Sequence, residues 1–189
     1  IEKIKNIDFE FVLIGGDLID SSQFDLRNLS ILKNLKKPIL FCSGNHDHYI
    51  RNSYKKLRTL KDYNITYLNN SSYVFNEINV IGINDNQNID TQKDIANKLY
   101  EKEKFNILLI HKPSLWGKTN SYDLMLSGHT HNGQIFPFNM IVKFKFHASY
   151  GCFKDNNSVL YVSSGAGCWG PRMRLGSRNE IISLLLSQK

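Results

Sequence analysis

The side chains able to do chemistry fall into four short clusters, each beside a glycine or at the end of an apolar run. Asp17 and Asp20 lie in Gly16-Asp-Leu-Ile-Asp; Asn45, His46 and Asp47 follow Gly44. His111 stands alone after Ile107-Leu-Leu-Ile110, and His129 and His131 bracket Thr130 after Gly128. These clusters hold four of the six histidines. Imidazole mixed with carboxylate and amide oxygen is the donor set that suits manganese, iron or zinc at hydrolytic centres. Glycines beside such donors let the backbone turn sharply and leave room for a cation and a substrate. Each cluster alone also has a plain structural reading. An Asp at a strand end is commonly a cap or turn residue, a single His a satisfied structural group, and His-x-His two faces of one strand.

The elements around them follow from the apolar pattern. Phe11–Ile14, Ile39–Phe41, Ile107–Ile110 and Leu124–Leu126 are short apolar runs that predict buried strands, and every one of them runs into a cluster. Ligands of α/β sheets bind beyond the carboxyl ends of strands, where loops converge. Leu26, Leu29, Leu32 and Leu35 have near-helical spacing up to the stop at Pro38, and a basic helix is expected from Asn52 to Asp62. Further strands are expected at Tyr73–Phe75, Ile78–Ile83, Val159–Ser163 and Ile181–Leu186, and a helix capped by Asp90 or Thr91 and running to about Glu103. The stretch Ile135–Phe146 mixes aromatics with Lys; it reads first as a pair of strands packed on the core, and second as a surface for a membrane interface.

With 189 residues and neither repeat nor composition break, the expectation is one domain over residues 1–189. Cys42, Cys152 and Cys168 show no paired spacing, which argues against a disulfide framework or a zinc knuckle and for reduced thiols in the cytoplasm. No apolar run reaches 18 residues and no leader pattern is visible. A net charge of +7 favours anionic partners, although Lys and Arg spread along helices are first a solvated face. There is no ordered aromatic–basic stripe, so nucleic acid is not an expected partner. Arg172 and Arg174 are candidates for a substrate phosphate or for structural pairing, Asp85 for a turn or the cleft lining, and His48 and His147 for ordinary surface positions.

Taken in order, Gly-Asp-x-x-Asp, Gly-Asn-His-Asp, a lone His after a strand and Gly-His-x-His resemble the calcineurin-like metallophosphoesterases. The resemblance runs from about Phe9 to the C-terminus. It is nearest to the compact bacterial branch, through His111-Lys-Pro, Leu126-Ser-Gly-His-Thr-His-Asn-Gly-Gln134, Tyr161-Val-Ser-Ser-Gly-Ala-Gly and Pro171-Arg-Met-Arg-Leu. Four motifs together leave little room for the all-structural reading. The resemblance implies an α+β protein, a four-layer α/β/β/α sandwich. It implies two divalent cations (manganese, iron or zinc) bridged by Asp17. Asn45, His111 and His129 would complete one cation's shell and His131 would serve the other. A bridging hydroxide would attack a phosphodiester or phosphomonoester, with His46 at the leaving oxygen, Asp47 orienting it, and Asp20 supporting the loop. By the same resemblance a nucleotide-linked lipid precursor is a candidate substrate; peripheral membrane association is a candidate partnership from the Ile135–Phe146 stretch or through an upstream segment. A nuclease and a non-catalytic scaffold of the same fold are the alternatives.

One motif of that family is absent. No Asp-x-His precedes Asp17; Asp8 is followed by Phe9-Glu10. Ile1–Ile7 reads as the tail of a helix that would follow the missing first strand, and the expectation is a chain incomplete at its N-terminus. One cation site is then well furnished and the other has only Asp17 and His131.

Overall fold

The computed structural model describes residues 2–145, 148–155 and 157–187, so His147 and Phe146 lie outside the described residues. A short helix α1 (Glu2–Lys5) leads into β1 (Val12–Gly15). β1, β2 (Ile39–Cys42) and β3 (Ile65–Tyr67) form a parallel sheet in that order, with Val12 opposite Ile39 and Ile39 opposite Ile65. A second sheet comprises β4 (Ser71–Phe75), β5 (Ile78–Ile83), β6 (Phe105–Ile110), β7 (Leu124–Ser127), β8 (Gly151–Lys154) and β9 (Val159–Val162). Its order is β4-β5-β6-β7-β9-β8, parallel through the middle and antiparallel at both edges.

The central strands are covered on both faces, which is why their sequences are unbroken apolar runs rather than alternations. Alternate residues of each strand enter different cores. Leu40, Cys42, Val80, Ile107, Leu109 and Leu124 fill the space between the two sheets. Ile39 and Phe41 point instead to the outer layer, where they meet Leu29, Leu57 and Leu60. Ile81, Ile83, Leu108, Ile110 and Met125 pack on the far side with Ala96 and Leu115. Two helical layers therefore enclose two sheets, the four-layer α/β/β/α arrangement of an α+β protein.

Several elements differ from the sequence reading. Leu26–Leu35 is a 3₁₀ helix rather than an α-helix: a leucine every third residue is the 3₁₀ period, and it puts buried Leu29 and half-buried Leu26, Leu32 and Leu35 against the core. The basic segment divides into α3 (Ser53–Arg58) and a 3₁₀ turn, Thr59–Tyr63. Helix α4 (Ile89–Leu99) is capped by Asn88, whose side chain accepts from the Thr91 N–H; it ends four residues before Glu103. Ile181–Leu186 forms no strand. The described part of the Ile135–Phe146 stretch is not a pair of strands either, since Phe138–Lys145 is helix α5. Among the described residues no helix is long and apolar enough to cross a membrane.

Candidate metal centre

The strand ends bring the four clusters to one edge of the sandwich, two from each sheet. β1 ends in Gly15-Gly16, and the chain then takes left-handed backbone at Gly16 (φ 92°) and Asp17 (φ 55°). Gly16 is required twice over: its φ suits glycine, and a Cβ there would lie 2.5 Å from His111 Nδ1. β2 ends at Ser43-Gly44, and Asn45–Tyr49 is a one-turn helix, α2, where a polar loop was expected. A Cβ on Gly44 would run into the Asp17 carboxylate, so these two loops are in direct contact.

Asp47 locks that contact. It is fully buried; Oδ2 accepts from Gly44 N–H (2.8 Å) and Asp17 N–H (2.7 Å), and Oδ1 from Ile19 N–H (2.8 Å). Burial pushes its carboxyl up to about 6, against the pull of the backbone donors. The expectation that Asp47 orients His46 is therefore corrected. Both Asp47 oxygens are taken by backbone N–H groups, and His46 Nδ1 instead meets Asp20 Oδ1 at 2.7 Å. Asp20 is the carboxylate beside that ring, and its position as the second Asp of Gly-Asp-x-x-Asp was the signal available for it.

Asp17 Oδ1 accepts the His46 N–H at 3.0 Å, and Asp17 Oδ2 lies 3.1 Å from His111 Nε2. Burial raises the Asp17 carboxyl, but the hydrogen bond and charge of His111 and the His46 N–H outweigh it, and the net shift is downward. His111 is buried, with Nδ1 2.8 Å from the Gly15 carbonyl. A carbonyl only accepts, so Nδ1 carries a proton; Nε2 donates to the Asp17 carboxylate when it is protonated too, and would offer its lone pair to a cation once that proton is lost. Burial lowers the His111 ring, while the Asp17 hydrogen bond and charge more than restore it, so the net shift is upward.

His129 and His131 come from a loop with left-handed backbone at both (φ 69° and 50°) and at Asn132. His129 Nδ1 stands 3.2 Å from His111 Nε2; burial, with the charges of His111 and Lys112, pulls its ring down to about 4. His131 is lowered by burial and by the Arg174 guanidinium, and it also feels the charges of Asp17, His111 and His46. Asn45 Oδ1 is buried and has no hydrogen-bond partner among the described residues.

A second tier of contacts was not legible in the motifs. Arg174 Nη1 donates to the His131 carbonyl (2.9 Å), and Nη2 to the carbonyls of Ser164 and Gly167 (both 2.6 Å). Its guanidinium is committed to the backbone that shapes the His131 loop, so the structural-pairing reading of Arg174 is the one observed. Arg174→Ala is expected to cost about 3 kcal/mol by removing several charge-assisted bonds, with Arg174→Lys intermediate, measurable by urea unfolding. Asp85 is buried and pairs with Lys112 at 2.6 Å. His48 is half-buried with Nε2 2.9 Å from Ser43 Oγ, not an ordinary surface histidine.

The donors fit a divalent cation in kind: one carboxylate, one amide oxygen and three imidazoles, with an orphaned buried oxygen on Asn45 where such an ion would satisfy it. The described residues contain no group of three or more His, Cys, Asp or Glu already spaced as a cage. Asp17, His111 and His129 are drawn onto one another by hydrogen bonds.

Comparison with known proteins bears on this edge directly. The family model for calcineurin-like phosphoesterases matches residues 1–133, which include Asp17, Asn45, His111, His129 and His131. A protein of Helicobacter pylori described as an uncharacterized metallophosphoesterase is 36% identical over all of this chain and 54% of its own length. One of Campylobacter jejuni with the same description is 36% identical over 95% of this chain and 51% of its own. A zebrafish transmembrane protein with a metallophosphoesterase domain is 29% identical over 100% and 48%. The chain spans about half the length of these relatives. With that match over its motif-bearing strands, the chain belongs to the calcineurin-like phosphoesterase family, whose chemistry is the hydrolysis of phosphate esters.

Proposed function

We propose that residues 1–189 form one catalytic domain of a metal-dependent phosphoesterase acting on phosphodiesters or phosphomonoesters. Asp17, Asn45, His111 and His129 would hold one divalent cation, and Asp17 with His131 would contribute to a second. The observation that carries this reading is the buried Asn45 Oδ1, unpartnered among the described residues, in a turn packed against Asp17. Divalent cations bound there supply Lewis acidity to the phosphoryl oxygens and to water.

The chain's own residues do the rest. Asp20 takes His46 Nδ1, which leaves Nε2 as the atom able to pass a proton to the leaving oxygen or to stabilise its charge. Gly15 and Asp47 fix the ring of His111 and the Asp17 loop, so that the donors are held before substrate arrives. A nucleotide-linked lipid precursor is the substrate class proposed from the likeness to the compact bacterial branch.

The test is Mn²⁺-dependent cleavage of a nitrophenyl phosphodiester and of the matching monoester. His46→Asn is expected to lower kcat by about 10²–10⁴-fold, the range for a lost general acid. A second reading, a scaffold that binds no metal, draws on the mutual hydrogen bonds of Asp17, His111 and His129. Absence of hydrolysis with manganese, iron and zinc alike would favour it. The uneven ligand set further predicts about one tightly held cation per chain. Elemental analysis after dialysis reads this out; two tightly held ions would refute it.

A further inference from the structure

Helix α5 is amphipathic the wrong way round for a helix bathed in water. Phe138, Ile141 and Phe144 recur every third residue, so they line one side, and they are 61%, 57% and 87% exposed. The polar Asn139 is turned inward: its main chain lies where a Cβ on Gly133 would go, and its Oδ1 is buried. Water-facing helices do the reverse.

The helix is tied to the candidate metal centre by a second segment. Phe136 N–H donates to the Leu175 carbonyl (2.8 Å) and Leu175 N–H to that of Gln134 (2.9 Å). The Gln134 side chain bonds the main chain of Trp169 at both N–H and carbonyl (each 2.7 Å). Trp169 is itself 57% exposed, and Arg174 of the same segment holds the His131 loop. An exposed apolar surface thus adjoins His131, and contiguous surfaces of this kind mark interaction sites.

We propose that this face, α5 with Trp169, seats on an anionic lipid bilayer and brings the His131 edge to the headgroups. Charge selects that occupant over a second copy. The chain carries +7, and Arg172 and Arg178 are exposed on the segment that adjoins α5. Two such faces would repel, whereas exposed aromatic rings with the exposed Arg172 and Arg178 on the adjoining segment match an anionic interface. The inference goes beyond the hydrolase reading and does not depend on it.

Co-sedimentation with phosphatidylcholine vesicles, with and without phosphatidylglycerol, tests it. The chain is expected to pellet with the anionic vesicles at low salt and to be released at high salt. A double variant, Ile141→Asp with Phe144→Asp, should bind at least about tenfold more weakly. Both side chains face solvent, and unchanged circular dichroism and unchanged hydrolysis of the soluble diester would show the variant folded. Quenching of Trp169 fluorescence by brominated lipid is expected as a second readout. No binding, binding indifferent to the double variant, or a dimer that the variant dissociates would each overturn the proposal. Vesicle binding without any hydrolysis would instead sink the enzymatic reading alone.

Discussion

Asp47→Ala is expected to destabilise the fold by about 4 kcal/mol, since three N–H donors at 1–3 kcal/mol each lose their acceptor together. Gly44, Asp17 and Ile19 all donate to this one buried carboxylate, and alanine leaves no atom within reach of any of them. The Gly44 bond ties the N-cap N–H at the start of α2 to the Asp47 side chain three residues on, so the turn presenting Asn45 and His46 loosens as well. For a chain of this size the midpoint of thermal unfolding should fall by about 8–16 °C. Asp47→Asn keeps one acceptor oxygen and should lie between. A melting curve for Asp47→Ala that overlays the parent would show that the two loops are held by other means.

Asp17→Asn is expected to separate binding from folding. Asn is at ease in left-handed backbone, so φ 55° is no obstacle, and the amide oxygen can still accept the His46 N–H. What disappears is the charge, which is the property a carboxylate shared between cations supplies. Loss of several kcal/mol of charge stabilisation corresponds to a fall of about 10³-fold or more in kcat/KM. Calorimetric titration with Mn²⁺ should show the same loss of affinity, while the midpoint of unfolding without metal should change little. Parent-like metal affinity in Asp17→Asn would remove Asp17 from the proposed ligand set.

The strands and the motifs were legible for one physical reason. A strand buried on both faces must be apolar throughout, so Ile39–Cys42 and Ile107–Ile110 announce both themselves and the polar groups after them. Partnerships across the chain left no such trace. Nothing in the spacing of Asp47 tells that it caps amides of Asp17 and Ile19, some thirty residues away, rather than orienting its neighbour His46. Arg174 was equally silent, because backbone carbonyls are acceptors in every sequence. α5 was misread for a different reason. Phe136, Phe138 and Met140 alternate as a strand would, and the strand reading assumes that apolar side chains point inward. Here Phe138, Ile141 and Phe144 point out, so the premise fails before the period is considered.

The edge where the clusters meet draws Asp17 and Asn45 from the three-stranded sheet and His111, His129 and His131 from the six-stranded one. The core between the sheets, with Leu40, Val80, Ile107 and Leu109 in it, sets the spacing between those two groups together with their own contacts. Whatever occupies both groups at once is therefore a tie across the sandwich, and reciprocity follows: its affinity and the free energy of docking one sheet on the other are linked quantities. Packing faults deep between the layers would then be read out as weakened affinity at the rim, by residues that touch no ligand.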